Sequence, residues 1–233
     1  MDLRRGQQFT KLARAITVAA REGGGDPEAN PALANAVQKA REASMPKDNI
    51  ERAIAKGTGE GGGADAIEAI TYEGYGPGGV ALLIEALTDN RNRTGADVRH
   101  IMTKHGGSLG EPGSVAYLFD KRGVVVVDAE RHSDDDLIAA IDAGAEEIER
   151  DEELFEVVTA PADLAAVREA LQAAGVAVQR SELEQRPSTR IPLAAEDAGR
   201  LLRLIDALEA NDDVNAVHAN FDIASDVLEE MAG

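Results

Sequence analysis

Ser108 stands in Gly106-Gly-Ser-Leu-Gly110, the spacing of a nucleophile elbow, in which a strained strand-to-helix turn presents a serine hydroxyl for acyl transfer. The local pattern runs the other way: a helix precedes it, and Pro112-Gly113 and a strand follow. No histidine–carboxylate pair stands out to activate the hydroxyl, so a helix-to-strand turn is expected. Gly74-Tyr-Gly-Pro-Gly-Gly79 has the glycines of a phosphate loop, but it lacks the lysine and opens a strand where such loops open a helix. A tight turn with, at most, a backbone contact surface is expected there. His100, His105, His132 and His218 show no ligand spacing, and the first two bracket a helix C-terminus, where cations suit the dipole. With no cysteine, disulfides, thiolate metal sites and cysteine nucleophiles are excluded. The residues therefore nominate no catalytic group, metal, cofactor or small-molecule substrate.

Basic residues carry the stronger signal. Arg4, Lys11, Arg14 and Arg21 are spaced so that, at about 100° per residue, they share one helix face opposite Phe9, Leu12 and Ile16. Such a face is either ordinary solvated surface or a row of phosphate contacts, each adding a salt-sensitive increment to binding. A second cluster, Asp89-Asn-Arg-Asn-Arg-Thr94 with Arg99, offers guanidinium forks and amides suited to phosphates and nucleotide edges. Equally, Thr94 and Asp97 could form a capping box while Arg91 and Arg93 pair with nearby carboxylates.

Charge is unevenly placed. The formal total is −19 with 3 % aromatics, which by itself argues against binding phosphates. Yet residues 1–56 are net +3 and residues 129–233 net −18. The acidic half reads most simply as solvated surface that discourages phosphate there. No apolar run approaches the length of a membrane span and no secretory h-region opens the chain. A cytoplasmic protein is expected.

These side chains need a scaffold. Apolar spacing predicts a helix over 4–22, stopped by Gly23-Gly24-Gly25; a second from Pro31 capped by Asn30; and a third opened by Pro46 and closed by Gly57. The five-glycine stretch 57–63 is the clearest linker. Beyond it, strands are predicted at 80–87, 114–119, 189–193 and 214–221, with helices at 95–104 and 195–208. Within that series, 123–182 has its own β-α-β-β-α-β order, the ferredoxin-like sequence of elements, with Ser133 and Asp136 capping its first helix. The expected fold is α+β: a helical basic domain and glycine linker (1–63), a middle ferredoxin-like α/β domain (64–121 plus 186–233), and a second such domain (122–185) inserted in it.

Six runs then point to a family. Gly6-Gln-Gln-Phe-Thr-Lys-Leu12, Gly23-Gly-Gly-Asp-Pro27, Met45-Pro-Lys-Asp-Asn-Ile50, Tyr72-Glu-Gly-Tyr-Gly-Pro-Gly-Gly79, Asp89-Asn-Arg-Asn-Arg-Thr94 and Gly113-Ser-Val-Ala-Tyr-Leu-Phe119 resemble the YebC/PmpR family along essentially the whole chain. The resemblance implies three domains, no catalytic residue and no cofactor. Its members are described as DNA-binding transcriptional regulators, some as ribosome-associated translation factors that relieve stalling. Mitochondrial relatives activate translation of a cytochrome oxidase subunit. Family members usually carry a further basic segment containing Gly-His-Ser-Lys-Trp before the match to Arg5-Gly6. A chain opening at Met1-Asp2-Leu3 is therefore expected to be shortened or read from a late start, with less positive charge for nucleic acid.

The expectation is a non-enzymatic regulator of gene expression, with Arg4, Arg5, Lys11, Arg14 and Arg21 against phosphates and Lys47, Arg52, Arg91, Arg93 and Arg99 in support. The partner is promoter DNA or, alternatively, ribosomal RNA, tRNA or the ribosome. No helix-turn-helix base reader is visible, and shape recognition of structured RNA suits scarce aromatics. A third possibility is a protein-interaction module using the acidic half.

Overall fold

The computed structural model describes residues 2–59, 67–150, 153–224 and 227. The chain runs α1 (Asp2–Gly23), α2 (Pro31–Glu42), α3 (Lys47–Thr58), β1 (Glu68–Tyr75), β2 (Ala81–Thr88), α4 (Arg91–Lys104) and β3 (Ser108–Leu109). There follow β4 (Phe119–Asp128), α5 (Ile138–Asp142), β5 (Ala145–Arg150), β6 (Leu154–Thr159), α6 (Leu164–Ala173) and β7 (Val178–Pro187). It closes with β8 (Ile191–Pro192), α7 (Ala195–Glu209), β9 (Val214–Ala219) and β10 (Phe221–Asp222). Residues 1–119 with 187–233 make one compact unit and residues 120–186 another.

In the first unit, Ile16, Ala20, Leu33, Val37, Ala40 and Ile50 bury the inner faces of α1–α3 against one another. Asn30 fixes their angles: its side-chain oxygen accepts the Leu33 N–H at 3.1 Å while its amide donates to the Ala19 and Gly24 carbonyls. Gly57, expected to end α3, lies inside it, and Gly59, in the left-handed region at φ 84°, is the cap. Gly57 is instead a site of close approach, where an added Cβ would collide with the Thr17 carbonyl and the Ala20 methyl of α1. Residues 60–63 of the expected linker lie outside the described residues.

The same unit holds a four-stranded antiparallel sheet in the order β3-β1-β2-β9, with the β1–β2 hairpin at its centre. Strand β2 sends Leu82 and Ile84 towards α4 and α7, where they meet Val98, Met102, Leu201, Leu204 and Leu208. Two expectations fail here. Strand β1 escapes the sequence reading, and Ser114–Phe119, expected as a strand, contains a 3-10 turn at Ala116–Leu118. The turn is held by Glu73 of β1, whose carboxylate accepts the N–H groups of Gly113, Val115 and Ala116 at 2.6, 2.7 and 2.8 Å. Burial pushes the Glu73 carboxyl up, but these three bonds outweigh it and hold it below its ordinary range. Gly74 and Tyr75 end β1, Gly76–Gly79 lie in its connection to β2, and Ser108 opens the short strand β3, so neither glycine run is a nucleophile elbow or a phosphate-loop helix.

The second unit has strand order β5-β6-β4-β7, with the 3-10 turn before α5 supplying Leu137, α5 Ala140, and α6 Leu164, Val167 and Leu171 to a core of Val125, Val127, Phe155 and Val157. Ser133 and Asp136 make the expected reciprocal cap. Every arginine of this unit has a carboxylate within 4 Å, from Arg186–Glu149 at 2.6 Å to Arg168–Glu169 at 3.6 Å.

Candidate nucleic-acid interface

The face of α1 that carries the basic stripe splits by role. Arg14 turns onto the end of the sheet, where its guanidinium donates to Asp213 Oδ1 at 2.8 Å and to the carbonyls of Asp212 and Leu87. One turn earlier, the Lys11 ammonium donates to the Glu209 carbonyl at the close of α7. Burial lowers the Lys11 pKa against the pull of Asp212 and Glu209. Here part of the acidic C-terminal half is the counterpart of the basic N-terminal segment.

Asp213 is the hub. Its second oxygen accepts from Thr94 Oγ1 at 2.7 Å and from Arg93 at 2.8 Å, and the Thr94 oxygen lies 2.8 Å from the Thr88 hydroxyl, from which it can accept. The Asp213 side chain is only 6 % exposed, so burial pushes its carboxyl up; bonds from Thr94, Arg93 and Arg14 overcome that and hold it below its ordinary value. Asn90 caps α4 by accepting the Arg93 N–H at 3.1 Å, so the Thr94–Asp97 capping box is not formed; the Thr94 hydroxyl is spent on Asp213. Arg93 also pairs with Asp89 at 2.8 Å. Lys11 and Arg14 thus position α1 against the sheet, and Arg93 ties α4 to the same carboxylate.

Beside this hub lies a groove of about 530 Å³ between α1 and α3. Its α3 wall is the stripe Asn49, Arg52, Ala53 and Lys56, at spacings of three, one and three. Thr10, Ala13, Arg14 and Thr17 form the α1 wall; Phe9, Met45 and Ile67 add apolar surface, and Asp89 is the one carboxylate. The Arg52 guanidinium rests on its own helix, donating to the Asp48 carbonyl and to the Asn49 side chain. Neither Arg52 nor Lys56 has a carboxylate partner among the described residues. The groove therefore pairs two available cations with amide, hydroxyl and apolar surface, a set that suits a phosphate with its attached sugar and base.

The remaining sequence candidates scatter around it. Arg5 is exposed and stacks over the Phe9 ring at 5.3 Å. Arg21 is exposed at the far end of α1. The Arg4 side chain lies outside the described residues. Lys47 pairs loosely with Glu51 at 3.4 Å, and Arg91 with Glu68 at 3.5 Å. Arg99 is exposed on α4. Sequence reasoning passed over Lys56 and Asn49; their i, i+3 and i+7 spacing with Arg52 was the available signal. Among the described residues no group of His, Asp or Glu converges to hold a metal, and no helix is long and apolar enough to cross a membrane.

The comparisons with known proteins agree over both parts of the chain. Residues 1–60 match the model of the TACO1/YebC protein N-terminal domain, and residues 67–221 that of the TACO1/YebC second and third domain. A "probable transcriptional regulatory protein" of Rubrobacter xylanophilus is 57 % identical over 234 residues, covering all of this chain and 94 % of its own. Another so named, from Acidothermus cellulolyticus, is 56 % identical, with 99 % and 94 % covered. The crystal structure of a conserved hypothetical protein from Aquifex aeolicus superposes with TM-score 0.85 at 45 % identity, covering 96 % of this chain and 93 % of that one. With both family models matched in order, the chain belongs to the TACO1/YebC family.

Proposed function

We propose that this chain is a non-enzymatic, cytoplasmic, nucleic-acid-binding regulator of gene expression, and that it meets phosphates through the α1/α3 groove. The carrying observation is the groove wall of Arg52 and Lys56, cations without carboxylate partners among the described residues, beside an amide and an aromatic ring, in a chain of net charge −19. Arg5 and Arg21 extend the contact along α1, Lys47 along α3, and Arg4 belongs to the same stretch; Arg91 and Arg99 flank it on α4. Lys11, Arg14 and Arg93 act as positioning residues. The working division remains a helical basic part (1–63), a middle part (64–121 plus 186–233) and an inserted part (122–185).

The relatives' name supports promoter DNA as the partner. One observation favours structured RNA instead: the half-buried Phe9 ring beside the cations offers a stacking face for an unstacked base, which RNA loops present and a B-form duplex does not. Co-sedimentation of the chain with ribosomes across a salt series, with excess promoter DNA as competitor, separates the two. Ribosome binding that ignores the DNA eliminates the transcriptional reading. Binding that the DNA abolishes supports it. No association with either polymer overturns nucleic-acid binding and leaves the protein-interaction reading.

A further inference from the structure

A second basic pocket lies where sequence charge argues most strongly against one. It measures about 540 Å³ and is lined by the hairpin turn Pro77 and Gly78, the end of α4 at Lys104, His105 and Gly106, and by Asp197, Arg200 and Arg203 of α7. It shares no lining residue with the α1/α3 groove. Two of its cations come from the acidic C-terminal half. Arg200 is engaged by Glu196 at 3.0 Å and, more distantly, Asp197 at 3.9 Å. Lys104 and Arg203 are exposed, and neither has a carboxylate within ion-pair distance among the described residues. Dipole compensation at the end of α4 accounts for Lys104 and His105. It does not account for Arg203, brought to the same cavity from α7 beside Arg200 and without a carboxylate within ion-pair distance among the described residues.

The backbone at the rim is built for close approach. Gly78 and Gly106 hold φ of 74° and 82°. An added Cβ at Gly78 would collide with Leu193, which keeps the turn free of side chain where it faces Asp197. A cavity of one ammonium, two guanidinium forks and bare glycine backbone suits a tetrahedral, multiply charged oxyanion.

We infer that the Gly78–Lys104–Arg203 pocket binds phosphate, supplied by the backbone of the same nucleic acid that the α1/α3 groove holds. This inference rests on the function proposed above. The test uses the full chain, a fluorescent 20-nucleotide RNA, a promoter duplex, and inorganic pyrophosphate as the free-phosphate probe. Binding is followed by anisotropy across a salt series and by amide NMR shifts at Gly78 and Gly106. The Lys104→Ala/Arg203→Ala chain should bind the preferred polymer about ten-fold more weakly, with a salt slope lower by about two. Lys104→Arg should retain binding, and thermal melting should show both variants folded. Unchanged affinity and slope, with Gly78 and Gly106 unmoved by polymer, overturns the inference and leaves the groove reading intact. Pyrophosphate moving those amides while neither polymer binds supports a phosphate pocket for small ligands and overturns the nucleic-acid source.

Discussion

Lys11 and Arg14 differ from Arg52 and Lys56 in what they face, though all four belong to the same basic segment. The first pair is drawn inward by Glu209, Asp212 and Asp213. The other pair faces a groove whose one carboxylate, Asp89, is engaged by Arg93. Equal formal charge therefore gives opposite uses: one pair secures a helix to a sheet, the other is left available to solvent anions. A positive count by itself does not locate a phosphate site. What locates it is charge left over after internal carboxylates have been matched; in residues 120–186 every arginine is matched.

The sharpest way to break this contrast is Asp213→Asn. It strands Arg14 and Arg93 around a neutral group and should cost about 3 kcal/mol in urea unfolding at pH 7. Asp213 has a depressed pKa when folded, so its contribution is complete above the ordinary value of 3.8 and fades as pH falls through the folded value. The gap between wild type and variant should therefore close on acidification below that point; a gap constant with pH would deny the hub its ionic character. Lys11→Ala with Arg14→Ala should lower stability by about 1–2 kcal/mol while leaving the salt slope of nucleic-acid binding unchanged. Arg52→Ala with Lys56→Ala should do the reverse, weakening binding about ten-fold and flattening the slope by about two, with unfolding shifted by less than about 0.5 kcal/mol. If those two double variants gave the same pattern, the distinction would be lost. The smallest effect is expected for Lys47→Ala, at most about one unit of slope, because its exposed pairing with Glu51 holds it only loosely.

Much of the fold was legible because its signals are local. Asn30 before Pro31 marks the start of α2, the Leu201–Leu204–Leu208 spacing marks α7, and Ser133 with Asp136 marks the first turn of the second unit. What escaped depends on partners distant in sequence. Strand β1 reads as Glu-Ala-Ile-Thr-Tyr-Glu-Gly-Tyr, polar enough to hide, and is fixed by its register with β2, Ile70 opposite Ala86. The turn at Ala116–Leu118 looks like a strand until Glu73 is placed beneath its N–H groups. At the candidate site the spacing showed correctly that Lys11 and Arg14 share a face; it carried no information on what that face meets. The sequence reading named Arg52 and passed over Lys56, since a groove is a property of two helices and a spacing belongs to one.

The Arg14–Asp213 contact spans 199 positions of chain. A polypeptide is made from its N-terminus, and short-range helical packing forms long before the far end is synthesised. Through most of its synthesis, then, the nascent protein displays Lys11 and Arg14 as open cations, and only its final stretch withdraws them. The newborn chain is a more basic object at its N-terminus than the finished one, and any polyanion it touches during that interval meets a different surface.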